Sequence, residues 1–151
     1  VEIKVERCHS NAKLPFKSHS SDLGIDFCIV EDDDFSYTKD GDRVFYLNPL
    51  DKHLFSTGIR LLLPLHYGLL LKDRSGYASK FGLHVLAGVI DQGYTGEIKI
   101  CIVNLGKMPI CFYSGDKVAQ GILIKNNYFD IVEEKIEVNT ERGDKGFGST
   151  G

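Results

Sequence analysis

Polar and apolar residues alternate with a period of two over much of this chain. Glu97-Ile98-Lys99-Ile100-Cys101-Ile102 sets three isoleucines on one face of a strand. Glu134-Lys135-Ile136-Glu137-Val138 sets Ile136 and Val138 on one face, with Glu134 as the exception. Val44 to Leu47 and Ile59 to Leu63 are short β-rich runs, and Gly68 to Leu71 follows Pro64 closely enough to predict a hairpin. Gly24-Ile25-Asp26-Phe27 opens a further strand, and Gly115 to Gln120 is a turn leading into the strand Ile122-Leu123-Ile124. Turn signals recur at Asp40-Gly41, Asn48-Pro49, Gln92-Gly93 and Ser114-Gly115-Asp116. Their spacing predicts a sandwich, barrel or jelly roll. The best helix candidate is Tyr77 to Phe81, a turn or two after Ser75-Gly76. Residues 31–43, with Glu31-Asp32-Asp33-Asp34, read as an exposed loop or hairpin tip, more a solvated loop than a cation site.

A chain of 151 residues suits one domain with a core of its own. The net charge of −3 argues against wrapping a nucleic-acid backbone, which needs a basic stripe, but leaves room for one small polyanion in a local basic pocket. Cys8, Cys28, Cys101 and Cys111 are scattered without a CxxC pair, so free buried thiols in a reducing compartment are expected. The greasiest stretch, Ile59 to Leu71, contains Arg60, Pro64, His66 and Gly68, which excludes a membrane span there. No signal peptide is visible, and the expected location is cytoplasmic or nuclear.

Several segments could carry chemistry. Arg74-Ser75-Gly76 lies where a strand gives way to a short helix, so backbone N–H groups, a hydroxyl and a guanidinium could cradle an anion, or could form a plain capped turn. Gly88 to Gly96 reads as a hairpin that presents one carboxylate, Asp91, although a turn Asp is most often structural. Gln120 could donate to a phosphate or pair with backbone. The last ten residues, Arg142 to Gly151, hold four Gly with one Arg and one Phe. Such a tail cannot bury a core, yet Arg forks onto phosphate and Phe stacks on a base.

Taken in order, these segments resemble the five motifs of the dUTPase family of homotrimeric dUTP diphosphatases. Leu23-Gly24-Ile25-Asp26-Phe27 stands for the family's Ala-Gly-x-Asp-Leu, and Arg74 to Lys80 for the second motif. Ala87 to Glu97, Gly115 to Gln120 and Arg142 to Gly151 stand for the third, fourth and fifth. The departures are Asp73 where Pro is usual, Phe27 for Leu, Lys117 for a common Arg, and Gly121 where a larger apolar residue is common. Val85 stands where some members place an Asn that contacts uracil, and residues 31–50 exceed the family's usual connection by about one hairpin.

The resemblance implies an all-β fold, a distorted jelly-roll β-barrel with one short helix over residues 1–141, and an extended C-terminal arm over 142–151 that closes on the site. It implies hydrolysis of dUTP to dUMP and pyrophosphate, with Asp91 activating water for attack on the α-phosphorus. It implies Mg2+ on the triphosphate, held by Asp26 through water. Ser75, Gly76 and Gln120 would grip the α- and β-phosphates, with Arg74 joining or bracing them, and Arg142 would close on the γ-phosphate. Gly88, Val89 and Tyr94 would read the uracil edge, the Tyr94 ring would exclude a 2′-OH, and Phe147, with Gly148 and Ser149 beside it, would cover the base. Lys99 is a further candidate contact. Each site would draw on three chains of a homotrimer, with no nucleic-acid or membrane partner, and the source could be viral. A dCTP deaminase of the same fold is the nearest rival, but Cys101 occupies the place of its catalytic Glu. A catalytically dead binding protein is the rival of another class, which the intact Asp91, Gln120, Arg142 and Phe147 oppose.

Overall fold

The computed structural model describes residues 1–137, 140 and 143. Eleven strands and one helix run in the order β1 (Lys4–Arg7), β2 (Gly24–Cys28), β3 (Ser36–Tyr37), β4 (Arg43–Leu47), β5 (Lys52–Leu62), β6 (Tyr67–Asp73), α1 (Ser75–Phe81), β7 (Leu83–Leu86), β8 (Val89–Ile90), β9 (Glu97–Asn104), β10 (Ile110–Tyr113) and β11 (Lys117–Lys125). They form three antiparallel sheets, ordered β1-β5-β9-β7, β10-β4-β3 and β2-β11-β6-β8. The architecture is the expected all-β jelly roll with one short helix, although the three sheets do not join edge to edge into a closed barrel.

The period-two pattern decides which faces are buried. Ile98, Ile100 and Ile102 of β9 all lie in the core with Phe27, Phe55 and Phe112, while Lys99 between them is exposed. Removing such side chains from water is what binds the sheets together. Two of the family departures meet in this core. A Cβ on Gly121 would lie 2.8 Å from the Phe27 ring and 3.1 Å from both Leu69 methyls. The large ring at 27 therefore fills the volume that a larger residue at 121 would need, a size exchange across β2 and β11.

Several local expectations are corrected. Ile59–Leu63 and Gly68–Leu71 do not form a hairpin: β5 pairs with β1 and β9, whereas β6 pairs with β11 and β8. Pro64 and His66, the latter at φ 67°, turn the chain from one sheet to another. Gly88–Gly96 is likewise an arch between sheets, because β8 joins β6 and β9 joins β5 and β7. Ala87 at φ 61° and Gly88 at φ 106° make the kink that starts it, and a Cβ on Gly88 would lie 2.8 Å from the Leu71 carbonyl oxygen. Residues 134–137 form no strand and are exposed, since no strand among the described residues pairs with them. Val138, the end of that run, lies outside the described residues. Gln120 sits within β11 rather than in the turn before it. The four thiols are free as expected, but only Cys28 is buried, and burial pushes its pKa up.

The helix and the hairpin tip fall close to where they were expected. The helix starts two residues earlier than expected, and 36–47 is a hairpin with its tip at Asp40-Gly41. Among the described residues no helix is long and apolar enough to cross a membrane.

Candidate active site

Two strands, β6 and β11, run side by side from Lys125↔Tyr67 to Ala119↔Asp73. Their two ends carry the two groups of candidate residues.

At the Asp73 end, a cleft of about 440 Å³ is lined by Asp22, Asp26, Arg74, Ser75, Gly76 and Gln120, together with Ser18, Tyr77, Lys80 and Phe81. Asp26 comes from β2, Gln120 from β11, and Arg74 from the residue that links β6 to α1. The Asp26 side chain is only 16% exposed and meets two cations, with Arg74 Nε and Lys117 Nζ each 3.3 Å from its carboxylate. The Ser18 hydroxyl donates to the same carboxylate at 3.3 Å. Arg74 also donates to the Lys117 carbonyl at 3.1 Å and lies over the Tyr77 ring. Two positive charges against one negative leave this cluster with a surplus that suits an anion. No side chain caps the first turn of α1 and no acidic residue stands in it, so the N–H groups beside Ser75 and Gly76 face the cleft without an internal competitor.

Gln120 is placed by space as much as by bonding. Its Nε2 donates to the Asp73 carbonyl at 2.8 Å, and a Cβ on Gly24 would meet its Oε1, so Gly at 24 leaves the amide free to hold this position. The Asp73 carboxylate, present where the family commonly has Pro, takes the Val85 N–H at 2.6 Å and faces His84 Nδ1 at 2.8 Å. It thereby ties β7 to the end of β6. Asp73 and Lys117 are two residues of this region that the sequence marks only by their departure from the family pattern.

The second group lies at the other end. Ile90 of β8 is opposite Leu69, and Arg74 follows five residues later, about 17 Å along the strand. Asp91 lies in a separate cleft of about 280 Å³ with Val89, Gln92, Tyr67 and Lys125, which shares no lining residue with the first. Its carboxylate is exposed and takes no hydrogen bond or ion pair among the described residues. Other aspartates at bends behave differently: Asp22, Asp32 and Asp116 each accept a backbone N–H at 2.8–3.1 Å. Asp91 is thus not held by the arch it stands on, whereas its neighbour Gln92 is, through the His66 N–H at 2.7 Å. The Tyr94 ring, 45% exposed, lies against Gly96 and donates its hydroxyl to the Glu97 carbonyl at 2.8 Å. Val89 is 69% exposed, and the Gly88 carbonyl accepts the Leu71 N–H at 2.8 Å. Lys99 is exposed on β9 opposite Ser56 and lines neither cleft. Arg142, Phe147, Gly148 and Ser149 lie outside the described residues.

A family model of the dUTPases matches residues 11–151. The chain belongs to the dUTPase family. Its enzyme class is therefore that of the deoxyuridine triphosphate nucleotidohydrolases. A deoxyuridine 5′-triphosphate nucleotidohydrolase of Clostridium novyi is 38% identical over 100% of this chain and 99% of its own length. One from Fowlpox virus is 34% identical over 99% of this chain and 97% of its own. A solved dUTPase of Staphylococcus bacteriophage 80alpha, in complex with dUpNHpp, is similar at a TM-score of 0.82 and 26% identity, over 99% of this chain and 98% of that one. Bacterial and viral relatives are thus both present.

Proposed function

We propose that this dUTPase hydrolyses dUTP to dUMP and pyrophosphate in a site assembled between copies of the chain. The observation that carries the reading is the separation of its two halves. A base must come within hydrogen-bond reach of the water it activates, directly or through one more water. About 17 Å along β6 is too far for Asp91 and the Arg74–Gln120 cleft of one chain to act on a single phosphorus. A second copy, related by rotation, brings its own Asp91 arch to that cleft, and closed rotation gives the homotrimer. The exposed Phe129, Ile131, Val132 and Ile136 after β11 support this, because apolar side chains left exposed among the described residues suit burial on a neighbour.

In this reading Ser75, Gly76 and Gln120 bind the α- and β-phosphates, with Arg74 and Lys117 supplying charge. The Asp91 carboxylate, free of internal bonds, takes the proton of the attacking water. The P–O bond to the bridging oxygen breaks, and pyrophosphate leaves. Gly88, Val89 and Tyr94 present backbone groups to the uracil edge, where cytosine would leave buried donors and acceptors unpaired. The Tyr94 ring, fixed by its bond to Glu97, stands where it can exclude a 2′-OH. Lys99 lines neither cleft, so this reading gives it no role. Residues 142–151 close as an arm, with Arg142 on the γ-phosphate and Phe147, Gly148 and Ser149 over the base.

Mg2+ fits the first cleft in an outer-shell manner. Asp26 already faces two cations, but Asp22 and Ser18 stand beside it in an open polar cleft, and this ion keeps most of its waters. Asp26 would hold it through such waters, and the ion would neutralise triphosphate charge.

Pyrophosphate release measured with dUTP, dCTP, dTTP and UTP tests the substrate assignment. dUTP is expected to be preferred by several orders of magnitude. Comparable rates with dCTP or UTP would refute the base and sugar readings.

A further inference from the structure

Away from both halves of the site, one cluster of side chains has unmet bonding capacity. His53 of β5 has its ring stacked on Phe45 at 4.0 Å and edge-on to Phe55 at 4.6 Å, which fixes the plane of the imidazole. The side chain is 14% exposed, and its Nε2 atom is buried without a hydrogen-bond partner. A buried ring nitrogen left unpaired is costly. That nitrogen faces two carboxylates, with Asp32 Oδ2 and Asp34 Oδ2 each 3.9 Å away, and the three atoms all lie within 4.8 Å of one another.

A gap of 3.9 Å is too long for a hydrogen bond. It is close to the spacing of two ligands on one metal: at about 2.0–2.2 Å from a tetrahedral zinc ion, neighbouring N and O atoms stand about 3.4 Å apart. The loop is arranged for this. Asp32 Oδ1 accepts the Asp34 N–H at 3.1 Å, which leaves Oδ2 toward His53. Arg43 donates to the carbonyls of Asp32 and Phe35 and so holds the loop backbone, and it forms no ion pair with either carboxylate among the described residues. Asp34 is 69% exposed and can swing the remaining distance.

We propose that Asp32, Asp34 and His53 bind one divalent transition-metal ion of the zinc class. One imidazole with two carboxylates suits zinc and its neighbours, whereas Mg2+ prefers oxygen ligands and its own water. A water completes the coordination. The ion pins the start of the extra 31–50 segment to β5, and none of its ligands lines either half of the active site. The proposal is independent of the hydrolytic reading.

The test titrates Zn2+ and Co2+ into the metal-stripped full chain in excess Mg2+, by calorimetry and by visible absorption of Co2+. One equivalent is expected, with a Co2+ spectrum free of thiolate charge transfer and a melting temperature that rises with Zn2+. In Asp32→Asn/Asp34→Asn, binding should weaken at least about tenfold and the melting shift should vanish, while dUTP hydrolysis is unchanged. The two changes are isosteric and sit on a loop, so the fold survives them. His53→Gln should also abolish binding. No saturable binding, a thiolate band from Cys8 or another cysteine, or undiminished affinity in the Asp double variant would each overturn the proposal.

Discussion

At the Asp73 end of β6, Asp26 meets Arg74, Lys117 and Ser18, Gln120 holds the Asp73 carbonyl, and the Asp73 carboxylate ties in β7. At the Leu69 end, Asp91 and Val89 stand exposed, and the arch beneath them is fixed by Gln92 and Tyr94 rather than by the carboxylate itself. The charges of the first region are paired within one chain, whereas the second presents a carboxylate that takes no hydrogen bond or ion pair among the described residues. Binding a polyanion needs charges already held against mutual repulsion, and internal pairing supplies that. A general base must keep its lone pairs for water, so internal pairing would defeat it. On the proposed reading, this difference lets the two halves come from different protomers.

The sharpest way to break this comparison is complementation. Asp91→Asn should keep dUTP binding and lose hydrolysis by about 10²–10⁴-fold, because an amide cannot take the proton. Gln120→Ala should fail at the other half. Coexpressed in equal amounts, the two inactive chains should regain about a quarter of wild-type activity if each site takes Asp91 from one copy and Gln120 from another. No recovery in mixed assemblies would mean that both halves act within one chain. Light scattering should accompany this, with a trimer expected and an active monomer excluded.

Next in size is the arm. Ending the chain after Thr140 should spare folding and assembly yet lower kcat/KM for dUTP by at least about 100-fold, if Arg142 and Phe147 together supply about 3 kcal/mol. Normal kinetics in the truncated enzyme would remove residues 142–151 from the site.

A smaller effect tests the span between the two ends. Gly121→Leu should cost about 1–3 kcal/mol of stability by overpacking against Phe27 and Leu69. Phe27→Leu should relieve part of that loss in the double variant, a coupling of about 0.5–3 kcal/mol in denaturant melts. Simple additivity would show that the two departures from the family pattern are unrelated.

The smallest effect lies outside both ends and serves as a control. Bonding to the Ser114 side chain, with further help from the Glu31 backbone and Asn11, holds the Glu31 pKa down to about 2 from its ordinary 4.5. A depressed carboxyl stabilises the fold above about pH 4.5, and that contribution fades as pH falls toward 2. Glu31→Gln should flatten this acid limb in pH-dependent melts and leave activity near neutrality untouched. An unchanged acid limb would remove Glu31 from the acid response.

By itself the sequence determined what is local or chemical. Alternation placed Ile98, Ile100 and Ile102 in the core, because successive side chains on a strand point to opposite faces. The order of the segments around 26, 74–76, 91 and 120 resembled a family that the chain does belong to, and the roles of those residues rest on that resemblance. It did not determine partners. Ile59–Leu63 and Gly68–Leu71 looked like a hairpin, and Gly88–Gly96 like another, since closeness in sequence is the only pairing signal a single chain carries. Pairing is decided by which strands bury each other's faces, and those lie far away in the chain. For the same reason only the tertiary structure set Asp26 between Arg74 and Lys117, put Phe27 in the space left by Gly121, and brought His53 to Asp32 and Asp34. The run at 134–137 shows the limit from the other side: alternation specifies a face, but a strand exists only where another backbone accepts its hydrogen bonds.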